Sequence, residues 1–176
     1  FDAYTHLVIT SKTAISLLFE FAENYGIAKK TILDKKVIVV GKATAAAAAE
    51  YGLSATFPVA DETAEGMVTI LKGQNLQAAY LFWPHSVLSR SILPEFFQNE
   101  GLRYCDAVLY DTIPNCKIHY PQLDLNVIDE IVFTSPSTVD AFCQILGPIP
   151  WHKQITSIGP ITAAYLENHK LQTPLR

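Results

Sequence analysis

The chain has 176 residues and a formal net charge of −4; 49% of its residues are apolar and 17% are charged. This composition is typical of a well-buried globular protein and excludes a disordered chain. The absence of a Lys/Arg cluster argues against a nucleic-acid partner, and the apolar runs are too short to span a bilayer. Because no signal-peptide pattern opens the sequence either, we predict a cytoplasmic protein with no membrane partner.

Short apolar segments along the chain have the length and the β-branched or aromatic content of strands. They begin, in order, at His6, Lys36, Ala78, Asp106, Glu130 and Gln154. Helical patterns lie between several of them, over residues 13–25, 43–51, 63–72 and 89–100. Strands that alternate with helices predict an α/β fold with a mainly parallel sheet covered on both faces.

The stretch from 111 to 127 differs from the rest of the chain, because it contains two prolines and no helical stripe. It is predicted to be an extended connector. We therefore predict a first α/β domain over residues 1–112 with a sheet of about five strands. We also predict a connector over residues 113–127 and a partial second α/β domain over residues 128–176.

An internal repeat is the most informative feature of the sequence. Residues 7–15 (LVITSKTAI) are similar to residues 131–139 (IVFTSPSTV). Residues 36–58 are similar to 154–175: in both, a strand ends in glycine, Thr-Ala follows three residues later, and a helix leads to a second short strand. Two matches in the same order indicate duplicated α/β units.

Small hydroxyl residues follow the predicted strands where helices begin. They are Thr10, Ser11, Thr44, Thr134, Ser135, Ser137 and Thr162. Ligands of open α/β sheets bind beyond the carboxyl ends of the strands, where helix N-termini favour anions. Ser and Thr at such positions also cap helices, but the repetition in four places favours carboxylate binding.

Several sharper motifs are absent from the sequence. Residues 41–44 (GKAT) lack the upstream glycine of a phosphate-binding loop, and neither Gly-x-Ser-x-Gly nor Gly-x-Gly-x-x-Gly occurs after a strand. The acidic cluster 61–65 is predicted to be a loop and a solvated helix start. Three cysteines and five histidines lack metal-site spacing, so we expect no bound metal.

The ordered set of motifs resembles the uroporphyrinogen-III synthase family. Members of this family repeat strand–Thr-Ser–helix and strand–Gly-x-x-Thr-Ala–helix elements across two flavodoxin-like domains. The stretches that carry the resemblance are residues 7–15, 39–45, 58–67, 81–93, 108–112, 130–142 and 158–163. The resemblance covers nearly the whole chain, although Trp83-Pro84-His85 stands where the family usually has glycine.

The resemblance implies two flavodoxin-like parallel-sheet units and a cyclising hydro-lyase of heme biosynthesis. Its substrate would be hydroxymethylbilane, which carries eight carboxylates, and hydroxymethylbilane synthase is a candidate partner of the expected monomer. Thr10, Ser11, Thr44, Ser135, Ser137 and Thr162 would bind the substrate in a cleft between the units. Tyr110, at the end of an apolar run, would act as the catalytic general acid.

The family's N-terminal strand–helix–strand and its last helix have no counterpart here, so the second unit is predicted to be incomplete. A shortened, inactive relative and a non-enzymatic two-lobed ligand-binding module therefore stay open as alternatives. Only the enzyme needs a proton donor such as Tyr110.

Overall fold

The computed structural model describes residues 1–117 and 123–172, and the chain divides into two compact units, Phe1–Asp111 and Thr112–Arg176. The strands of the first unit are β1 (His6–Ile9), β2 (Lys36–Val39), β3 (Ala55–Thr56), β4 (Tyr80–Ser86) and β5 (Arg103–Tyr110). Its helices are α1 (Lys12–Asn24), α2 (Lys29–Leu33), α3 (Lys42–Glu50), α4 (Ala64–Lys72) and α5 (Ile92–Asn99). The predicted α/β fold is confirmed, as is the parallel sheet of about five strands.

The five strands form one parallel sheet in the order β3-β2-β1-β4-β5. The chain winds from β1 to β3 in one direction and then crosses to β4 on the other side of β1. Flavodoxins have the order 2-1-3-4-5, whereas 3-2-1-4-5 belongs to the other common doubly wound arrangement. The strand order of this sheet therefore does not confirm the flavodoxin-like description.

Both faces of the sheet are covered by helices. Successive strand residues point to opposite faces, so neighbouring residues of β1 belong to different cores. On one face Leu7 and Ile9 pack with Leu18 and other apolar residues of α1 and α3. On the other face Val8 and Ile38 pack with α4 and α5. All four residues of β1 are buried, so the alternating apolar packing fixes β1 in the centre of the sheet.

The helix predicted over 89–100 begins three residues later, at Ile92. Pro94 explains the difference, because proline has no N–H to donate and is tolerated only in the first turn of a helix. A helix that began at Ser89 would place Pro94 in its interior. α2, a short helix that precedes β2, was not predicted from the sequence.

The second unit contains β6 (Glu130–Phe133), α6 (Pro136–Leu146), β7 (Gln154–Ser157) and α7 (Pro160–Gln172). β6 and β7 pair in parallel, and Phe133, Val139, Ile149 and Leu166 form a small core. Within the predicted extended connector, Leu125–Val127 forms a short 3-10 helix instead. Residues 118–122 of the connector and the predicted strand start at 173–175 lie outside the described residues.

Candidate functional site

The carboxyl ends of β1 and β4 mark the point where the strand order of the first sheet reverses. In open α/β sheets such a switch point forms a crevice beyond the strands, where ligands bind. Thr10 and Ser11 follow β1 directly, and Tyr110 is the last residue of β5, the strand beside β4. Three of the predicted site residues therefore lie at this end of the sheet.

Ser11 and Tyr110 are in direct contact, although 99 positions separate them in sequence. The Ser11 Oγ lies 2.8 Å from the Tyr110 hydroxyl oxygen. Ser11 is also the N-cap of α1, where its Oγ accepts a hydrogen bond from the Ala14 N–H at 3.0 Å. The cap fixes the Ser11 side chain, and Ser11 in turn fixes the half-buried phenol at the switch point.

Thr44 lies in the first turn of α3 and is only 5% exposed. At the same helix start the Lys42 N–H donates a hydrogen bond to Glu62 Oε2 at 2.9 Å. Gly41 permits this approach, because a Cβ there would collide with the Glu62 carboxylate. The Glu62 carboxylate thus occupies this helix N-terminus, where the helix dipole favours negative charge.

Arg90, after β4, is held by an acidic side chain of the protein itself. Its guanidinium donates two hydrogen bonds to Glu65, Nη1 to Oε1 at 2.6 Å and Nη2 to Oε2 at 2.8 Å. This bidentate pair lowers the pKa of the Glu65 carboxyl from 4.5 to about 2, chiefly through the hydrogen bond from Arg90. The pair joins the start of α4 to the segment that leads into α5.

Arg90→Gln should lower the free energy of unfolding by less than about 1 kcal/mol near neutral pH, because both side chains are partly exposed to solvent. Since the folded-state pKa of Glu65 is depressed, the stabilisation is fully present above pH 4.5 and is lost as the pH falls towards 2. Urea unfolding of both proteins across this range should give two stability curves that converge in acid. A stability difference that is independent of pH would contradict this origin.

In the second unit, Ser135 and Ser137 come together at the start of α6. Ser135 is the N-cap: its Oγ accepts from the Thr138 N–H at 3.3 Å, and its own N–H donates to Thr138 Oγ1 at 3.2 Å. The Ser135 and Ser137 hydroxyl oxygens are 3.0 Å apart. Ser135, like Ser11, therefore caps a helix, the role that the sequence left open beside ligand binding.

Thr162 occupies the first turn of α7 as Thr44 occupies that of α3, and it is 4% exposed. The equivalent placement of these two threonines follows the internal repeat of the sequence. Sequence reasoning missed Glu62 as a helix-start carboxylate; its only signal was the acidic cluster, which was assigned to a loop. It also gave no role to His85, the buried residue near the end of β4.

A cavity of about 620 Å³ lies elsewhere in the first unit, beside the second half of α1. Phe19, Ile27, Lys29 and Tyr51 are among its lining residues. These residues lie in the second half of α1, between α1 and β2, and just after α3, so the cavity lies towards the amino ends of the strands. The strand order and the Ser11–Tyr110 contact point to the opposite end of the sheet instead.

Two observations concern metals and membranes. In the parts of the chain that the structure describes, no three His, Cys, Asp or Glu side chains are grouped so that they could hold a metal ion. Over residues 1–117 and 123–172, no helix combines the length and the apolar character needed to cross a membrane.

The fold and the site define a doubly wound α/β protein whose strand ends present hydroxyl groups and helix N-termini. Residues 1–174 match the family model described as Uroporphyrinogen-III synthase HemD. The chain therefore belongs to the uroporphyrinogen-III synthase family, which acts in porphyrin and heme biosynthesis.

Two relatives are similar to the chain in sequence. A protein of Methanothermobacter thermautotrophicus described as "Putative uroporphyrinogen-III synthase" is 30% identical over 181 aligned positions, which cover 96% of this chain and 70% of the relative. The "Porphyrin biosynthesis protein HemD" of Ruminiclostridium josui is 24% identical over 194 positions, which cover 96% of this chain and 34% of that protein.

Two solved structures share the fold. The uroporphyrinogen-III synthetase of Helicobacter pylori superposes with a TM-score of 0.64 at 19% identity, over 96% of this chain and 74% of that one. A mutant uroporphyrinogen III synthase of Thermus thermophilus gives a TM-score of 0.63 at 16% identity, over 93% and 68%.

Proposed function

We propose that the chain converts hydroxymethylbilane to uroporphyrinogen III, with loss of water and inversion of ring D. Membership of the synthase family supports this reaction. The observation that carries it is the Tyr110 hydroxyl, which lies 2.8 Å from Ser11 Oγ at the switch point of the sheet. A phenol held there can donate a proton to a departing hydroxyl group.

In the proposed reaction, Tyr110 protonates the terminal hydroxyl of the substrate as the C–O bond breaks, and water leaves. The cation that results is an azafulvenium ion. The substituted carbon of ring D attacks it to form a spiro intermediate, which fragments and closes again with ring D inverted. The proton given up by Tyr110 is recovered from the ring carbon that loses one on closure, so the overall change is loss of one water molecule.

The chain's other task in this proposal is to hold the substrate in the fold that leads to the type III ring. Thr10, Ser11 and Thr44 of the first unit, and Ser135, Ser137 and Thr162 of the second, would bind its carboxylates together with helix N-terminal N–H groups. Hydroxyls and backbone amides bind carboxylates without net charge, which is compatible with the net charge of −4. Residues 1–112 and 128–176 would then act as two substrate-binding units, with 113–127 as their connector.

The ratio of product isomers tests this function. Without a catalyst, hydroxymethylbilane closes directly to the symmetric type I ring, which provides the control. The protein should give mainly the type III isomer and should close the ring faster than the control. Wild-type protein that yields only the type I isomer would exclude the enzyme and favour a ligand-binding module.

A further inference from the structure

Tyr110 faces α1 because of an irregularity at the end of β5. β4 and β5 pair in regular parallel register as far as His85 and Val108, but Ser86 then pairs with Tyr110, so that Leu109 is left over. Strand side chains alternate between faces, and regular alternation would turn Tyr110 to the face of Val108, away from Ser11. After the bulge Tyr110 packs in the core on the α1 face instead. Bulges of this kind re-aim side chains beside active sites.

His85 lies at this bulge and is bound on several sides. Its Nδ1 is 2.8 Å from the carbonyl oxygen of Ser86; because a carbonyl only accepts, Nδ1 carries a proton and donates it. The Trp83 ring stacks on the imidazole at a centroid distance of 3.9 Å, and Asp106 Oδ2 lies 3.4 Å from Nε2. The ring is only 10% exposed, so these contacts fix its orientation.

The bond to Ser86 reaches Tyr110 through the backbone. The next residue, Val87, donates its N–H to the carbonyl oxygen of Tyr110 at 3.0 Å. The Ser86–Val87 peptide thus accepts from His85 Nδ1 at its carbonyl oxygen and donates through its own N–H to the carbonyl oxygen of Tyr110. The Ser86 carbonyl also accepts from the Ser89 N–H at 3.0 Å, so loss of the Nδ1 donor would remove one of its two partners and weaken the hold on this peptide.

We propose that His85 is a positioning residue for Tyr110: its Nδ1–H holds the bulge that directs the Tyr110 hydroxyl to Ser11, and Asp106 fixes the imidazole for this bond. The importance of this role for catalysis rests on the proposed function, whereas the effect on the Tyr110 side chain does not. A ring that merely filled space would not need a donor at one particular nitrogen. The two nitrogens of His85 can be tested separately.

Two amide variants separate the nitrogens. In His85→Asn the side-chain N–H₂ group replaces the Nδ1 donor to Ser86, whereas in His85→Gln it lies near the Nε2 position that faces Asp106. With 3-fluorotyrosine in place of tyrosine, the ¹⁹F resonance of Tyr110, assigned through Tyr110→Phe, reports its contact with Ser11. In His85→Asn the Tyr110 resonance should stay at its wild-type position. In His85→Gln it should move to the position that it has in the Ser11→Ala variant.

In the isomer assay, His85→Gln should lower kcat about tenfold with KM unchanged, because an ångström of misplacement costs up to about a hundredfold. His85→Asn should keep most of the wild-type kcat. Equal losses in the two variants, or a wild-type resonance and kcat in His85→Gln, would overturn the proposal. If His85→Gln does not fold, Asp106→Ala should move the Tyr110 resonance in the same direction, and an unmoved resonance there would also overturn it.

The ¹⁹F measurement separates this proposal from the proposed function. A resonance that moves as expected, in a protein for which Tyr110→Phe has no effect on rate, would uphold the positioning of Tyr110 and reject its catalytic role. If the rate depends on Tyr110 but the Tyr110 resonance is unchanged in both His85 variants, the catalytic role of Tyr110 is upheld and its positioning by His85 is rejected.

Discussion

Tyr110→Phe should lower kcat for ring closure by about a hundredfold or more, because general acid catalysis contributes about a hundredfold to ten-thousandfold. The substitution removes one oxygen from a half-buried side chain and leaves its ring packed against the core on the α1 face. Water can then still supply the proton to the departing hydroxyl, but without the positioned phenol. KM should change little, because in the proposed reaction the phenol acts on the leaving group rather than on the carboxylates.

Tyr104→Phe is the matched control for this substitution. Tyr104 lies on the same strand, but its ring packs against Phe97 on the other face and its hydroxyl accepts a hydrogen bond from Gln98 at 3.0 Å. The same atomic change at position 104 should therefore leave the rate unchanged. Equal rates for wild type and Tyr110→Phe would remove Tyr110 from the mechanism.

The hydroxyl residues at the strand ends should be less critical than Tyr110. In the proposed reaction many donors share the binding of eight carboxylates, so the loss of any one hydroxyl, as in Thr44→Val or Ser135→Ala, should cost on the order of 1–3 kcal/mol. Such variants should raise KM more than they lower kcat. Residual type III product should also persist in Tyr110→Phe, since the substrate is still held in the required fold.

The contact between Ser11 and Tyr110 shows where sequence reasoning reaches its limit. Local patterns predicted that Ser11 follows a strand and that Tyr110 ends an apolar run. Their hydrogen bond depends on β4 lying between β1 and β5 and on a single extra residue in β5. Neither the strand order nor the bulge has a local signature in the sequence, so the pair could be predicted only as two separate residues.

Glu62 and Arg90 illustrate a second limit. The sequence predicted a loop and a solvated helix start for residues 61–65, which describes their backbone well. It could not predict that Glu62 binds the start of α3 or that Glu65 holds Arg90, because both contacts join segments about 20 residues apart or more. The partners of long surface side chains are set by the tertiary structure and not by neighbouring residues in the sequence.

The core beneath the site can be tested through stability. Phe97 on α5 is fully buried and is the largest of the fully buried side chains in the described part of the chain. Its ring centroid lies 5.0 Å from that of Tyr104 and 6.4 Å from that of Trp83. It therefore packs against both β4 and β5, the strands that form the bulge and carry Tyr110.

Phe97→Ala should lower the free energy of unfolding of the first unit by about 3–5 kcal/mol, since the substitution loses the transfer free energy of the ring and leaves a cavity. A typical domain is stable by only about 5–15 kcal/mol, so this loss would unfold a substantial fraction of the protein at moderate denaturant. Trp83 lies in the first unit and Trp151 in the second, so fluorescence in a Trp151→Phe background follows the first unit alone. Tyr25→Ala, at an 80% exposed position, should change stability by less than about 0.5 kcal/mol. If Phe97→Ala were no more destabilising than Tyr25→Ala, the α5 core could not be what supports the two strands beneath Tyr110.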